Sequence, residues 1–482
     1  MAYRHGIYVK EQETSLTAPL SGTAGLQVVI GTAPVHLTKD PESAVNKPIL
    51  VRSFKEAVEA VGYSADFGKY TICEAVSAAF QVMNVAPMVL INVLDPGKHR
   101  RDMEEISVPV TGGVAVVEQE GLMLKGLVVK NGGTELAVDV DYTAAYNSDG
   151  AMSIVLMEGG KGAGAESLTV SGKLLDAEKV KAEDIVGGVD PETGAETGME
   201  VLRQVYPKLG MTPGILLAPR FSADPAVSAA LQAKTHEVNG VLRCVCVADV
   251  DSSAEGAVKY TDVKQQKERQ ALTDPNAYAV WGYGKVGEKL YSGSALAAAL
   301  TAYTDAENGD IPYVSPSNKS LAISAMCLED GTEVLLDQEQ ANTVNGFGVA
   351  TFLNMNGFRL WGNRTCAYPA NTDTKDSFFS CRRYMNWRAN SFILTYFQKV
   401  DSPLNRRLIE AIVDSENVNG NRYAAIGAAA KDEIEYNEED NSTSDLMNGR
   451  IVFRQHITPF PPAEDIEDII EFDPDALTAA LS

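Results

Sequence analysis

Apolar positions in this chain follow two different periods, and the changes between them divide it into segments. From "LQVVIGTAP" to "PMVLINVL" (26–94) continuous apolar runs alternate with segments whose apolar residues recur at helical spacing. This predicts strand, helix, helix, strand, with the helices in "FKEAVEAVG" and "YTICEAVSAAFQVMN". Between 97 and about 195 the texture becomes rich in Gly, Val and Thr, with short alternating runs. Turn signals at Gly112-Gly113, Asn131-Gly132 and Asp149-Gly150 separate those runs, as expected of an all-β module set into an α/β domain.

The α/β rhythm resumes at Met199. Helix "MEVLRQVYPKL", strand "GILLAPR", helix "DPAVSAALQAKTHEVN", strand "VLRCVCVAD", helix "VKYTDVKQQKERQA", strand "AYAVWGYG" and helix "GSALAAALTAYTDAEN" follow in turn. Asp224 is placed as an N-cap, with Pro225 at the first helical position. Apolar strands alternating with helices predict a mostly parallel sheet covered on both faces. From about Thr343 the pattern changes to a strand pair in "FGVATFLNMNGFRLWGNRT", helices near 375–398 and 404–416, and a strand near "GRIVFRQHITPF", an α+β arrangement. The reading is therefore an N-terminal arm over 1–20, an α/β core over 21–96 and 199–342, a β-rich insert over 97–198, an α+β C-terminal domain over 343–460 and a C-terminal arm over 461–482.

Length agrees with several domains, since 482 residues exceed one compact core. No apolar run approaches the roughly 18 residues that cross a bilayer, and "MAYRHGIYVKEQ" lacks the apolar region of a secretory signal. The expectation is synthesis and folding in the cytoplasm. The net charge of −24, from 41 basic and 65 acidic residues, opposes binding to nucleic acid or to anionic membranes.

The charge is also uneven. Residues 432–482 hold fourteen acids and two bases, whereas residues 359–407 hold nine bases and three acids. Such a basic belt is read either as a surface for an acidic partner or as internal pairing with the acidic tail. Cys73, Cys244, Cys246, Cys327, Cys366 and Cys381 form no C-x-x-C pair, and Cys244 and Cys246 share one strand face as buried thiols. Five scattered histidines give no zinc pattern.

Four stretches have the look of chemistry. "WGYGKVG" (281–287) satisfies G-x-G-x-x-G after a strand, the pattern that brings a pyrophosphate to a helix start. It supports an alternative reading, a nucleotide-dependent α/β oxidoreductase. Its context fails, because the next clear helix begins only after "EKLYS". "GGKGAGAES" (159–167) has Gly162 where a phosphate loop needs Ser or Thr, so it reads as a connector. Ser294 opens a helix as a hydrolase serine does, but no histidine stands near it in sequence. Asp305, Glu307 and Asp310 read as a solvated helix end. No catalytic, cofactor-binding or metal residue is assigned, and no cofactor is expected.

Several separate stretches resemble contractile tail sheath proteins of phages and related injection machines. "YSGSALAAALTAYTDAENGDIPYVSPSNKSL" (291–321) resembles the family's small-residue helix, Asp, Gly and Ser-Pro-x-Asn turn. "SGTAGLQVVIGTAPVH" (21–36) resembles its opening strand and Gly-Thr-Ala-Pro loop. "GFRLWGNRT" (357–365) resembles its Trp-Gly-x-Arg-Thr motif, and "FPPAEDIEDIIEF" its closing Pro-Ala-Glu-x-Ile segment. The resemblance implies a core with a topology likened to subtilisin, without its triad, and no enzyme activity. It implies a helical polymer of stacked six-membered rings around a tail tube, contracting to drive the tube through a target envelope. The partners implied are further copies of the chain, a tail tube protein, and baseplate and tail terminator proteins, with no nucleic acid and no membrane insertion. The implied location is a bacterial host cytoplasm during synthesis, then a virion tail or a released phage-tail-like particle.

A helical polymer needs an interface that does not close on itself, and adding a strand to a neighbour's sheet edge supplies one. Both arms have strand-like alternation. In the tail Ile466, Ile470 and Phe472 fall on one face and Glu467, Ile469 and Glu471 on the other. In the N-terminal arm Ile7 and Val9 alternate with Tyr8 and Lys10. The expected inter-subunit strand residues are Ile7, Tyr8, Val9, Ile466, Ile469, Ile470 and Phe472, with flexible links at Pro461-Pro462 and around 11–20. Arg382, Arg383 and Arg388, on one helix of the basic belt, are the expected tube-facing residues.

Overall fold

The structure, a computed structural model, describes residues 23–147 and 149–481. An eight-stranded sheet forms its centre, in the order Ile49–Val51, Met88–Asn92, Gln27–Gly31, Ile215–Leu217, Val245–Val250, Ala277–Trp281, Val349–Asn354, Phe358–Trp361. The six inner strands run parallel, and the two edge strands are antiparallel to their neighbours. Helices cover both faces, so Val28–Ile30, Ile215–Leu217 and Ala277–Trp281 are wholly buried. That is why these strands read as unbroken apolar runs.

Local signals act where the spacing placed them. The Asp224 carboxylate accepts from the backbone N–H of Ala226 (2.8 Å) and Val227 (3.4 Å), capping the helix Pro225–Lys234. The segment from Met199 departs from the helix expected there. It is a 3-10 turn over Gly198–Gln204 followed by a short helix Val205–Leu209. Pro207 has no N–H to donate, which limits the α-helix to its last turn.

The insert is a seven-stranded antiparallel sheet, in the order Thr134–Glu135, Val128–Asn131, Ser167–Leu175, Arg100–Thr111, Val114–Val117, Met152–Leu156, Tyr142–Tyr146. It has its own core around Ala115, Val129, Ile154 and Val170. Gly112 and Gly113 both take positive φ (61° and 80°) and turn the chain between the strands Arg100–Thr111 and Val114–Val117. Where the insert meets the core, His36 is buried edge-on against Tyr146, with ring centroids 5.7 Å apart.

Burial holds the His36 imidazole down to about 4. A base whose folded pKa is depressed contributes stability that is complete above its unfolded value near 6.5 and is lost as pH falls through 4. Acid-induced unfolding monitored between pH 7 and 4 is therefore expected to show a loss on the order of 3 kcal/mol that His36→Phe removes.

Two features of the C-terminal part differ from the sequence reading. The strand pair expected to open a separate domain at 343 belongs to the central sheet, with Val349 pairing beside Ala279. Val349–Leu353 is buried throughout, which a strand covered on both faces requires. The second helix runs over Arg406–Ala425, well past the expected end near 416. Together with the helix Phe379–Tyr396 it packs on a two-stranded sheet, Ala429–Glu435 with Arg454–Pro459.

Gly420, within this helix, is there for close approach. A Cβ at Gly420 would lie 1.8 Å from the Asp432 carbonyl oxygen. Gly420→Ala is thus expected to push the helix off the strand at a cost of about 1–3 kcal/mol, measurable as a lowered urea midpoint.

Candidate assembly surfaces

The G-x-G-x-x-G stretch is a β-hairpin, which corrects the nucleotide-loop reading. Tyr283–Val286 pairs antiparallel with Lys289–Ser292, and Gly287, at φ 59°, lies in the turn between them. The helix Gly293–Glu307 does begin just after this hairpin, but the chain's own acids fill its N-terminus. The Ser294 N–H and hydroxyl both donate to Asp249 (2.7 Å each), and the Ser292 N–H donates to Glu74. Asp249 also accepts from the Ser222 hydroxyl at 3.1 Å, and the Arg220 guanidinium donates to Glu74 at 3.0 Å. Burial pushes Glu74 up to about 7 against the opposing pull of Arg220, and raises Asp249 as well. A phosphate would have to displace two carboxylates there. Ser294 is fully buried and serves this internal network.

Of the acids at the far end of that helix, Asp305 differs from its sequence reading, while Glu307 and Asp310 are exposed as expected. Asp305 is 1% exposed and holds the Arg383 guanidinium. Burial raises its carboxyl, while the arginine pulls the other way. Glu307 remains at the surface, bonded to Tyr303.

Arg382, Arg383 and Arg388 do not form an outward face, and this corrects their assignment to a tube surface. Arg383 is 3% exposed, and besides Asp305 it donates to the Ala24 carbonyl at 3.0 Å. Arg388 is 1% exposed, donating to Asp432 at 2.6 Å and Glu416 at 2.7 Å with its guanidinium 4.9 Å from the Tyr423 ring centre. Arg382 is largely buried and bonded to Asp376 at 3.0 Å. The helix Phe379–Tyr396 is wedged between the central sheet and the terminal hairpin, so its polar residues face partners on both sides. Sequence spacing alone carries no sign of that sandwich.

The same charges tie the tail to the body. Arg364, from the Trp-Gly-Asn-Arg-Thr stretch, holds Glu464 with two parallel bonds, one of them 2.9 Å long. Internal pairing thus accounts for the basic belt at these four arginines.

Beyond Glu464 the tail pairs with no strand among the described residues. Ile466, Ile469, Ile470 and Phe472 are 85%, 76%, 88% and 79% exposed, and the chain ends in a helix, Pro474–Leu481, that buries none of its residues. Ile7, Tyr8 and Val9 lie outside the described residues.

One sheet edge is open among the described residues. The strand Arg454–Pro459 pairs with Ala429–Glu435 on one side and, among the described residues, with no strand on the other. On the outer side of Ala429–Glu435, Asn417 exchanges two hydrogen bonds with the Ile434 backbone (2.8 and 3.0 Å), which blunts that edge. The freer edge is therefore Arg454–Pro459.

Residues 194–366 match the family model for the phage tail sheath protein central domain. The chain carries the central domain of the tail sheath family. That domain takes in the parallel strands from Ile215 onward and the helix Gly293–Glu307. The tail sheath protein of Burkholderia phage BcepMu is 27% identical over 480 residues, covering 96% of this chain and 95% of that protein.

Two solved assemblies share the fold. A sheath subunit of the extracellular contractile injection system PVC, in the contracted state, superposes with a TM-score of 0.58 at 12% identity, covering 99% of both chains. A chain of the anti-feeding prophage baseplate, also contracted, superposes with a TM-score of 0.59 at 11% identity, covering 98% of this chain and 99% of that one. Tail sheath proteins are structural components of phage or injection particles and are not a class of enzymes. No helix among the described residues is long and apolar enough to cross a membrane.

Proposed function

We propose that the chain is a structural subunit of a contractile tail sheath, polymerising as stacked hexameric rings around a tail tube. Contraction of that polymer drives the tube through a target envelope. The core would follow the subtilisin-like sheath arrangement, with the baseplate and a tail terminator bounding the polymer and the tube protein inside it.

One observation carries the mechanism. The chain exposes an alternating apolar arm, Ile466 to Phe472, and also a strand edge, Arg454–Pro459, that is unfilled among the described residues. Donor and acceptor lie on different patches of one molecule, as an open helical polymer needs. Each backbone hydrogen bond gained nets about 1 kcal/mol, and burying Ile466, Ile470 and Phe472 adds about 1.5–3 kcal/mol each before ordering costs. Repetition at every subunit makes the sum cooperative. The N-terminal arm, through Ile7, Tyr8 and Val9, is proposed to fill a second edge in the same way. Contraction is then a change between two packings of rigid bodies that stay joined by their arms.

Electron microscopy of the full-length chain, purified at increasing concentration, tests this. Long striated tubes or short wide cylinders are expected. Discrete particles of one or two subunits at every concentration would rule the polymer out.

A further inference from the structure

We infer that Arg364 and Glu464 form a charge latch that fixes the direction in which the C-terminal arm leaves the subunit. Arg364 is thus a positioning residue for the arm, and the pivot lies at Asp465 rather than at Pro461-Pro462. The inference rests on the arm reading above for its purpose and on the unassembled subunit for its geometry.

Arg364 is held in place before it meets the tail. Its guanidinium lies 3.7 Å from the Phe378 ring centre and 4.5 Å from that of Tyr368. It donates to the Ser377 hydroxyl at 3.1 Å, and its backbone bridges to Phe378. Its side chain is only 15% exposed. A planar cation held close to two aromatic rings loses little freedom on gripping a carboxylate with both edges. Two parallel bonds also fix orientation, which a single contact does not. An ordinary surface pair at this place would hold nothing firmly.

The grip is selective. Among the described ion pairs of residues 461–473, Glu464 supplies the one that exists, although Asp465, Glu467, Asp468, Glu471 and Asp473 follow closely. Four residues earlier, the Cys381 thiol donates to the Phe460 carbonyl at 3.7 Å. Pro461 and Pro462 are therefore bracketed by contacts on both sides, and their fixed φ makes the bracketed piece a strut. Freedom begins at the next residue. From there nine extended residues, 465–473, reach about 30 Å, so a modest change of angle at the root changes which neighbouring edge the arm can meet.

The test uses full-length protein in dilute, unassembled form, with spin labels on Ile466→Cys and Leu335→Cys. Both sites are strongly exposed, and all six native cysteines are buried. Pulsed electron resonance is expected to give a narrow distance distribution for the parent chain. Glu464→Gln is expected to widen it at least twofold, and Arg364→Lys, which keeps the charge and loses the fork, to give an intermediate width. The urea midpoint of Glu464→Gln should match the parent, showing that the body is intact.

An unchanged width in Glu464→Gln would overturn the latch and leave the arm reading standing. Polymerisation of a chain lacking 465–482 would overturn the arm reading and leave the latch standing.

Discussion

A chain lacking residues 465–482 is expected to fold normally and to lose polymerisation into long tubes. Every described residue of that segment is exposed, and none belongs to a hydrophobic core. Its removal therefore takes nothing from the subunit's interior, and a urea midpoint should move by less than about 0.5 kcal/mol equivalent. In the proposed polymer the donor strand is then missing at every contact. Because each subunit both gives and receives, a modest loss per contact multiplies along the helix, and micrographs should show discrete subunits or short oligomers at concentrations where the parent chain forms tubes.

The second large effect is expected at Arg388. Its guanidinium sits between Glu416 and Asp432, both buried, and Asp432 is further bonded to Gln455 at 2.9 Å and Tyr384 at 3.3 Å. The desolvation burden of all three charges is tolerable only while they are together. Arg388→Ala leaves two carboxylates buried without a cation, a change that typically costs about 3–5 kcal/mol. The loss should appear in the unfolding of the unassembled subunit and centre on the helices Phe379–Tyr396 and Arg406–Ala425 and the terminal hairpin. A surface arginine would behave differently, altering assembly with no change in subunit stability. Replacing Arg388, Glu416 and Asp432 together with apolar residues of similar volume should recover much of the loss, since no charge is then stranded.

The periods of apolar residues carried most of the central architecture. Strands such as Val245–Val250 and Ala277–Trp281 are legible because a sheet covered on both faces admits only apolar runs, and Asp224-Pro225 marks a helix start by local chemistry alone. Tertiary context decided the rest. The helix expected to end near 416 runs on to Ala425 because it packs on the terminal hairpin, with Gly420 giving Asp432 the space it needs, and Val349–Asn354 joins the central sheet through a partner some seventy residues earlier in sequence.

Charge was the least legible property. Arg383 and Arg388 have the composition of a surface belt, and their burial is visible only when Asp305, Glu416 and Asp432 arrive from three other elements. The apolar alternation of Ile466 to Phe472 was evident from spacing. The edge proposed to receive it, and the arginine that grips its root, lie some ten and one hundred residues away in sequence.

The central claim is that the tail of one subunit adds to the strand Arg454–Pro459 of another. A photo-crosslinking residue at Ile470, in particles assembled from mixed isotope-labelled and unlabelled chains, tests it most directly. Mass spectrometry is expected to find adducts on residues 454–459, with heavy and light chains joined to each other. Adducts confined within single chains, or absent from that strand in intact particles, would contradict the account.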